Sequence, residues 1–225
     1  MTKKLAVAAG LLLVLALPAG AASKSMELGL KGGVNLANLS YDPESPYWDP
    51  EMKLGLAAGG ALSFVLSPTM RLDGEVLYVQ KGATLGGPDN IECAGDVDIN
   101  LTYVGISPML RFKMNSQKAT PYFMGGIEFA FLLEAEYDRT FECNGDEESD
   151  TVDAKDYFED TDMSVTVGAG LEFPSGGSAF FLEGRYVLGL SDISKQDDSI
   201  EVMTNGEGEP EIKTTGIYLL AGLRF

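Results

Sequence analysis

Residues 215–225 read TGIYLLAGLRF. At a period of two, Thr215, Ile217, Leu219, Ala221, Leu223 and Phe225 share one face, while Gly216, Tyr218, Gly222 and Arg224 share the other. An unbroken apolar file ending on an aromatic carboxyl terminus predicts the closing strand of a transmembrane β-barrel. A strand in a soluble sandwich could alternate in the same way, so the rest of the chain must decide.

The amino terminus has Lys3 and Lys4, an apolar run over 5–17, Pro18, and then Ala19, Gly20, Ala21 and Ala22. This order predicts a secretory signal over 1–22, cut after Ala21 or Ala22, and a single barrel domain over 23–225. No cysteine follows the run, so a lipoprotein anchor is not expected. No other apolar stretch is long enough for a spanning helix, which leaves strands as the only means of crossing. The net charge of -18 and the absence of His argue against nucleic acid as a partner, because phosphate would be repelled.

Apolar alternation returns in eight segments of roughly ten residues or slightly more, the length a tilted strand needs to cross. They lie near 27–36, 53–66, 70–81, 99–113, 121–134, 163–173, 180–190 and 215–225. In the fifth, Phe123, Ile127, Phe129, Phe131 and Leu133 face one way, and Tyr122, Glu128 and Glu134 the other. The fourth is the least clear, because Leu101, Tyr103 and Met109 blur its phase. Connections alternate between short (67–69, 114–119, 174–178) and long and polar (38–52, 83–98, 135–162, 192–211). An even-stranded barrel with both termini in the periplasm has this layout, with its long loops outside the cell. The expected fold is therefore all-β: an eight-stranded antiparallel up-and-down transmembrane barrel. Tyr41, Tyr47, Trp48, Tyr78, Tyr103, Phe112, Phe123, Phe173 and Phe225 lie near strand ends and are candidates for interfacial girdles.

Five stretches carry a resemblance: LGLKGGVNLAN at 28–38, LYVQKGA at 77–83, PYFMGGIEFAFL at 121–132, GAGLEF at 168–173 and LEGRYVLGLSDI at 182–193. Together they resemble the PorT-like outer-membrane β-barrel family of Bacteroidetes and their relatives, over about 28–225. The resemblance implies a small monomeric barrel in the outer membrane of a Gram-negative cell, porin-like in name and without a catalytic motif. The acidic third loop and the two cysteines look particular to this chain.

If the apolar files face lipid, Lys31, Arg71, Asp73, Glu75, Arg111, Glu128, Glu172, Glu183, Arg185 and Arg224 point into the lumen. Eight strands make an interior just wide enough for side chains to fill, so a packed ion-pair plug is expected rather than an open channel. Carboxylates beside arginines stay ionised, and without His the Ser-His-Asp and Cys-His mechanisms are excluded, so no catalytic role is expected. Thirteen acidic residues crowd 134–162 against Arg139 and Lys155. Asp146, Glu147, Glu148 and Asp150 could attract cations, Ca2+ among them, but the EF-hand pattern is absent and no cofactor is expected. Cys93 and Cys143 fall in neighbouring long loops, which suits a disulfide in an exported protein.

The expected role is noncatalytic, either structural or in surface interaction through the long acidic loops. A narrow porin-like channel for ions or small solutes is the alternative. Membrane lipid and lipopolysaccharide are the expected partners, together with the barrel-assembly machinery during insertion.

Overall fold

The computed structural model describes residues 26–42, 50–86, 93–116, 118–143, 146–195 and 211–225. The signal-peptide expectation, and Tyr47 and Trp48 of the girdle expectation, lie outside these residues. The strands are β1 (Met26–Asp42), β2 (Pro50–Ser67), β3 (Met70–Gly86), β4 (Cys93–Lys113), β5 (Thr120–Cys143), β6 (Asp146–Asp153), β7 (Thr161–Ser175), β8 (Ser178–Gly189) and β9 (Glu211–Arg224). All of them except β6 form a closed antiparallel ring in which β4 pairs with β5 and β1 with β9. Leu28 and Phe225 close the ring by exchanging backbone hydrogen bonds of 3.2 and 2.8 Å. The C-terminal phenylalanine is thus part of the seam.

Two-residue turns follow Ser67 and Ser175, and the second uses Gly176 at φ 64°. A positive φ at the first turn position matches the right-handed twist of the strands it joins, and glycine takes it there without a Cβ penalty, whereas Pro68 begins the first turn with its φ held negative. Both turns lie at the end of the barrel that also holds both termini of the ring.

Outward positions within 28–36, 54–66, 72–78, 104–112, 123–133, 163–173, 180–190 and 217–225 carry no charged residue. A strand crossing hydrocarbon needs such a band, because a charge facing mid-bilayer lipid costs about 2–4 kcal/mol. Leu54 and Phe123 are 65% and 59% exposed, which only a nonaqueous surrounding makes favourable. Phe112 lies opposite Phe123, and Phe173 opposite Phe180, at the short-turn end, with Phe225 nearby. These outward rings, with Phe173 half-buried and the others exposed, form one girdle. Tyr103, expected in a girdle, is instead fully buried in the lumen.

Three further expectations need correction. Much of what reads as long polar loop is strand: β3 reaches Gly86, β4 begins at Cys93 and β5 reaches Cys143. At roughly 3.3 Å per residue the 24 residues of β5 run about 80 Å, more than twice what a crossing requires. The third connection is a hairpin, with β6 taking over from β7 as the partner of β5. Glu134 also faces outward, because the β4–β5 register shifts beside Thr102, where Thr102 pairs with Glu134 but Tyr103 with Leu132. One extra residue reverses which face follows.

Candidate functional site

The lumen holds every charged residue expected there, together with Glu27, Lys81, Lys113 and Asp162. Lys81 and Asp162 follow from the same period of two that places Asp73, Glu75 and Ser164. They lie near strand ends, where polar residues begin on the outward face too and the contrast between faces fades.

These residues form three tiers. Nearest the short turns, Arg71 clasps Glu27 through both terminal nitrogens at 2.6 and 2.8 Å, while Lys113 and Arg224 both bind Glu172. In the middle, Arg185 contacts Glu75 at 2.8 Å and donates to Glu183 at 2.7 Å, and Lys31 contacts the same two carboxylates at 2.7 and 3.2 Å. Arg111 Nη2 lies 2.7 Å from Asp73 without hydrogen-bond alignment, and its guanidinium stacks 4.4 Å from the Tyr122 ring centroid. Tyr122 in turn donates to Glu183 at 2.9 Å. Furthest out, Lys81 binds Glu128 and Asp162, each at 2.9 Å, and Thr214 donates to Asp162 at 2.7 Å.

Among the described residues, seven cations and seven carboxylates make the lumen formally neutral. These fourteen residues therefore contribute nothing to the chain's formal charge of -18. Neutrality is what burial demands, because an unpaired charge in this medium costs several kcal/mol. The tiers differ, however: the first has three cations to two carboxylates, the second is balanced, and the third has one cation to two carboxylates.

Inward glycines make room for the large side chains. A Cβ on Gly170 would lie 2.3 Å from the Tyr122 ring, and one on Gly222 would lie 2.3 Å from the Phe181 ring. In both pairs the aromatic lies over a glycine directly opposite it on the next strand. Where β2 and β3 lose register between Met52 and Ala57, Gln80 Oε1 accepts from the Leu56 amide at 3.1 Å. A cavity of about 60 Å³ lies there, lined in part by Ala37, Gln80, Lys81 and Leu101.

Beyond the third tier the lumen turns apolar. Leu39, Leu101 and Leu132 line it, continuous with Val79, Val187 and Leu220 deeper in the barrel, and Phe158 and Ile193 complete the same cluster at the rim, each almost fully buried. Phe158 belongs to a segment containing a single 3-10 turn (Lys155–Tyr157) and pairs by an isolated bridge with Ser194. Glu159 N donates to Ile193 O, Ile193 N to Ile212 O, and Ala154 N to Ala135 O, so irregular backbone completes the rim. Asp192 accepts from the amides of Ser194 at 3.0 Å and Ile212 at 2.8 Å. Burial works to raise its carboxyl, but these bonds and the charge of Lys213 outweigh that and hold it below the ordinary aspartate range.

The outer strands carry the acidic residues on a raised sheet of β4, β5 and β6. Asp138 receives Asn100 at 2.8 Å and Thr151 at 2.7 Å, and Lys53 bridges to Asp98 at 3.1 Å. Glu148 and Asp150 are exposed on β6, while the side chains of Asp146 and Glu147 lie outside the described residues. Among the described residues no three carboxylates are arranged to hold a metal ion. Cys93 and Cys143 are direct register partners, and their side chains too lie outside the described residues.

A family profile described as "Outer membrane protein beta-barrel domain" matches residues 19–195. The chain belongs to this outer-membrane β-barrel family. It is accordingly a protein of the Gram-negative outer membrane. No curated protein matches it. Among solved structures it is similar to Neisserial surface protein A at 11% identity, with 88% of this chain and 95% of that one covered and a TM-score of 0.45. It is also similar to OprG from Pseudomonas aeruginosa, at 10% identity, 89% and 96% coverage and a TM-score of 0.47. Ail, the attachment invasion locus protein of Yersinia pestis, matches at 16% identity, 89% and 99% coverage and a TM-score of 0.38.

Proposed function

We propose that this outer-membrane barrel is a noncatalytic, nonconducting support of the PorT-like kind, and that its role is to hold an acidic sheet above the cell surface. The observation that carries this reading is the lumen: among the described residues, three tiers of paired charge under an apolar cluster leave no row of like charges or continuous polar path. Lipopolysaccharide and surrounding lipid would meet the outward faces, with divalent cations drawn to the acidic sheet. The register of Cys93 with Cys143 supports a disulfide at its tip. That bond would tie together the two strands furthest from the membrane. By chain entropy it is worth on the order of 4 kcal/mol, and less where the ladder already restrains the ends.

The test is single-channel recording of the refolded protein in planar bilayers. No steps of reproducible size should occur, whether or not the cysteines are reduced. Uniform steps that change size in an Arg185→Ala variant would replace this reading with a narrow channel.

A further inference from the structure

The apolar region at the outer mouth is built unlike a core that merely needs filling. Its walls come from the barrel strands, but its cover does not: Phe158 reaches it from an irregular segment held by an isolated bridge and a few backbone bonds. Its floor is polar and incompletely satisfied. Tyr103 and Tyr218 are fully buried, yet neither hydroxyl has a hydrogen-bond partner. A buried hydroxyl without a partner costs about 1–3 kcal/mol, so each is poised to accept or donate to something that enters. Beside them Lys81, with its ammonium 5.3 Å from the Tyr103 ring centroid, is outnumbered by Glu128 and Asp162. That tier carries a formal charge of minus one in a low-dielectric setting, which favours a cation. The 60 Å³ cavity, which lies in the wall of β2, β3 and β4 beside Leu54, Gln80 and Thr102, touches the same floor only at Lys81 and Leu101.

We propose that the outer mouth is a binding chamber for a small amphiphile with an apolar body and an ammonium head, and that Phe158 is the chain's own cork in it. The body takes the place of the Phe158 ring among the apolar walls. The ammonium lies near Glu128 and Asp162, within reach of the two tyrosine hydroxyls. Asp162 is four residues beyond Phe158 in the chain, so cork and floor are joined by one short segment. This inference is independent of the surface role above, since the chamber need not lead through the barrel.

The probe is dansylcadaverine, a naphthalene fluorophore bearing a primary ammonium, titrated against the full chain in lipid nanodiscs. Saturable fluorescence enhancement is expected with the native chain. Phe158→Ala should tighten it about tenfold, because the cost of displacing the cork is removed. Paired Tyr157→Cys and Lys195→Cys substitutions cross-link the cork segment to its neighbour without touching the chamber, since Lys195 N bonds to Tyr157 O. Oxidation of that variant should abolish binding, and dithiothreitol should restore it. A dansyl amide of equal size without the ammonium should bind several-fold more weakly. Binding that survives the cross-link, or a folded Phe158→Ala chain that binds no better than the cross-linked one, overturns the chamber. Equal binding of the neutral analogue overturns the cation preference. Where Phe158→Ala fails to fold, the cross-link alone decides.

Discussion

The lumen below Lys81 and the mouth above it solve one problem, filling a narrow barrel, in opposite ways. Below, charges are held in ion pairs and the Tyr122 and Phe181 rings each lie over a facing glycine, so the contents fit only if register and ring closure are correct. Above, aliphatic side chains and a cork from an irregular segment fill the space without directional bonds. Polar filling specifies one arrangement, whereas apolar filling tolerates exchange of its occupant.

The comparison breaks most visibly in the middle tier. Arg185→Met should cost about 3–5 kcal/mol, because Glu75 and Glu183 lose their main partner in a buried setting. Urea unfolding in detergent micelles would read this. A shift below about 1 kcal/mol would mean that water reaches the tier and screens it. Gly170→Ala should come next, at about 1–3 kcal/mol, since the added methyl runs into the Tyr122 ring. A Gly170→Ala/Tyr122→Leu double variant that recovers part of the loss would confirm the cause.

At the mouth, Phe158→Ala should move the global midpoint by less than about 1 kcal/mol, while hydrogen exchange at Ala154 and Glu159 rises sharply, because the segment opens locally. If it costs as much as Arg185→Met, the two regions unfold as one and the contrast fails. The smallest effect is at Asp192. Its carboxyl is held below the ordinary range, so its stabilising contribution is present above the unfolded-state value and is lost as pH falls through the lowered folded value. Protection of the Ile212 and Ser194 amides should therefore decline on acidification past the ordinary aspartate range, and Asp192→Asn should flatten that dependence.

The same contrast explains what could be read from the sequence. The eight staves and most inward charges are legible because lipid outside and ion pairs inside give every strand two unlike faces. In the outer half of β4 the contrast disappears, since Leu101 and Tyr103 face an apolar interior while Val104 and Ile106 face lipid. Simple alternation puts Glu134 inward, and only the register shift beside Thr102 turns it outward. Beyond the membrane, where water wets much of the sheet, the strand extensions of β4 and β5 look like loop. The cork was illegible because Phe158 lies among acidic residues, with no periodicity to mark it.

The lumen pairs also bear on assembly. Lys31 meets Glu183 across 152 residues of chain, and Glu75 meets Arg185 across 110. No partly zipped sheet of consecutive hairpins can make these contacts, because they span the hollow of the ring and form only when β1 meets β9. A nascent barrel thus carries a set of unmatched charges that a single event, closure of the Leu28–Phe225 seam, neutralises together. Such a chain should insert slowly and finish abruptly, and a misregistered seam would announce itself by refusing to finish at all.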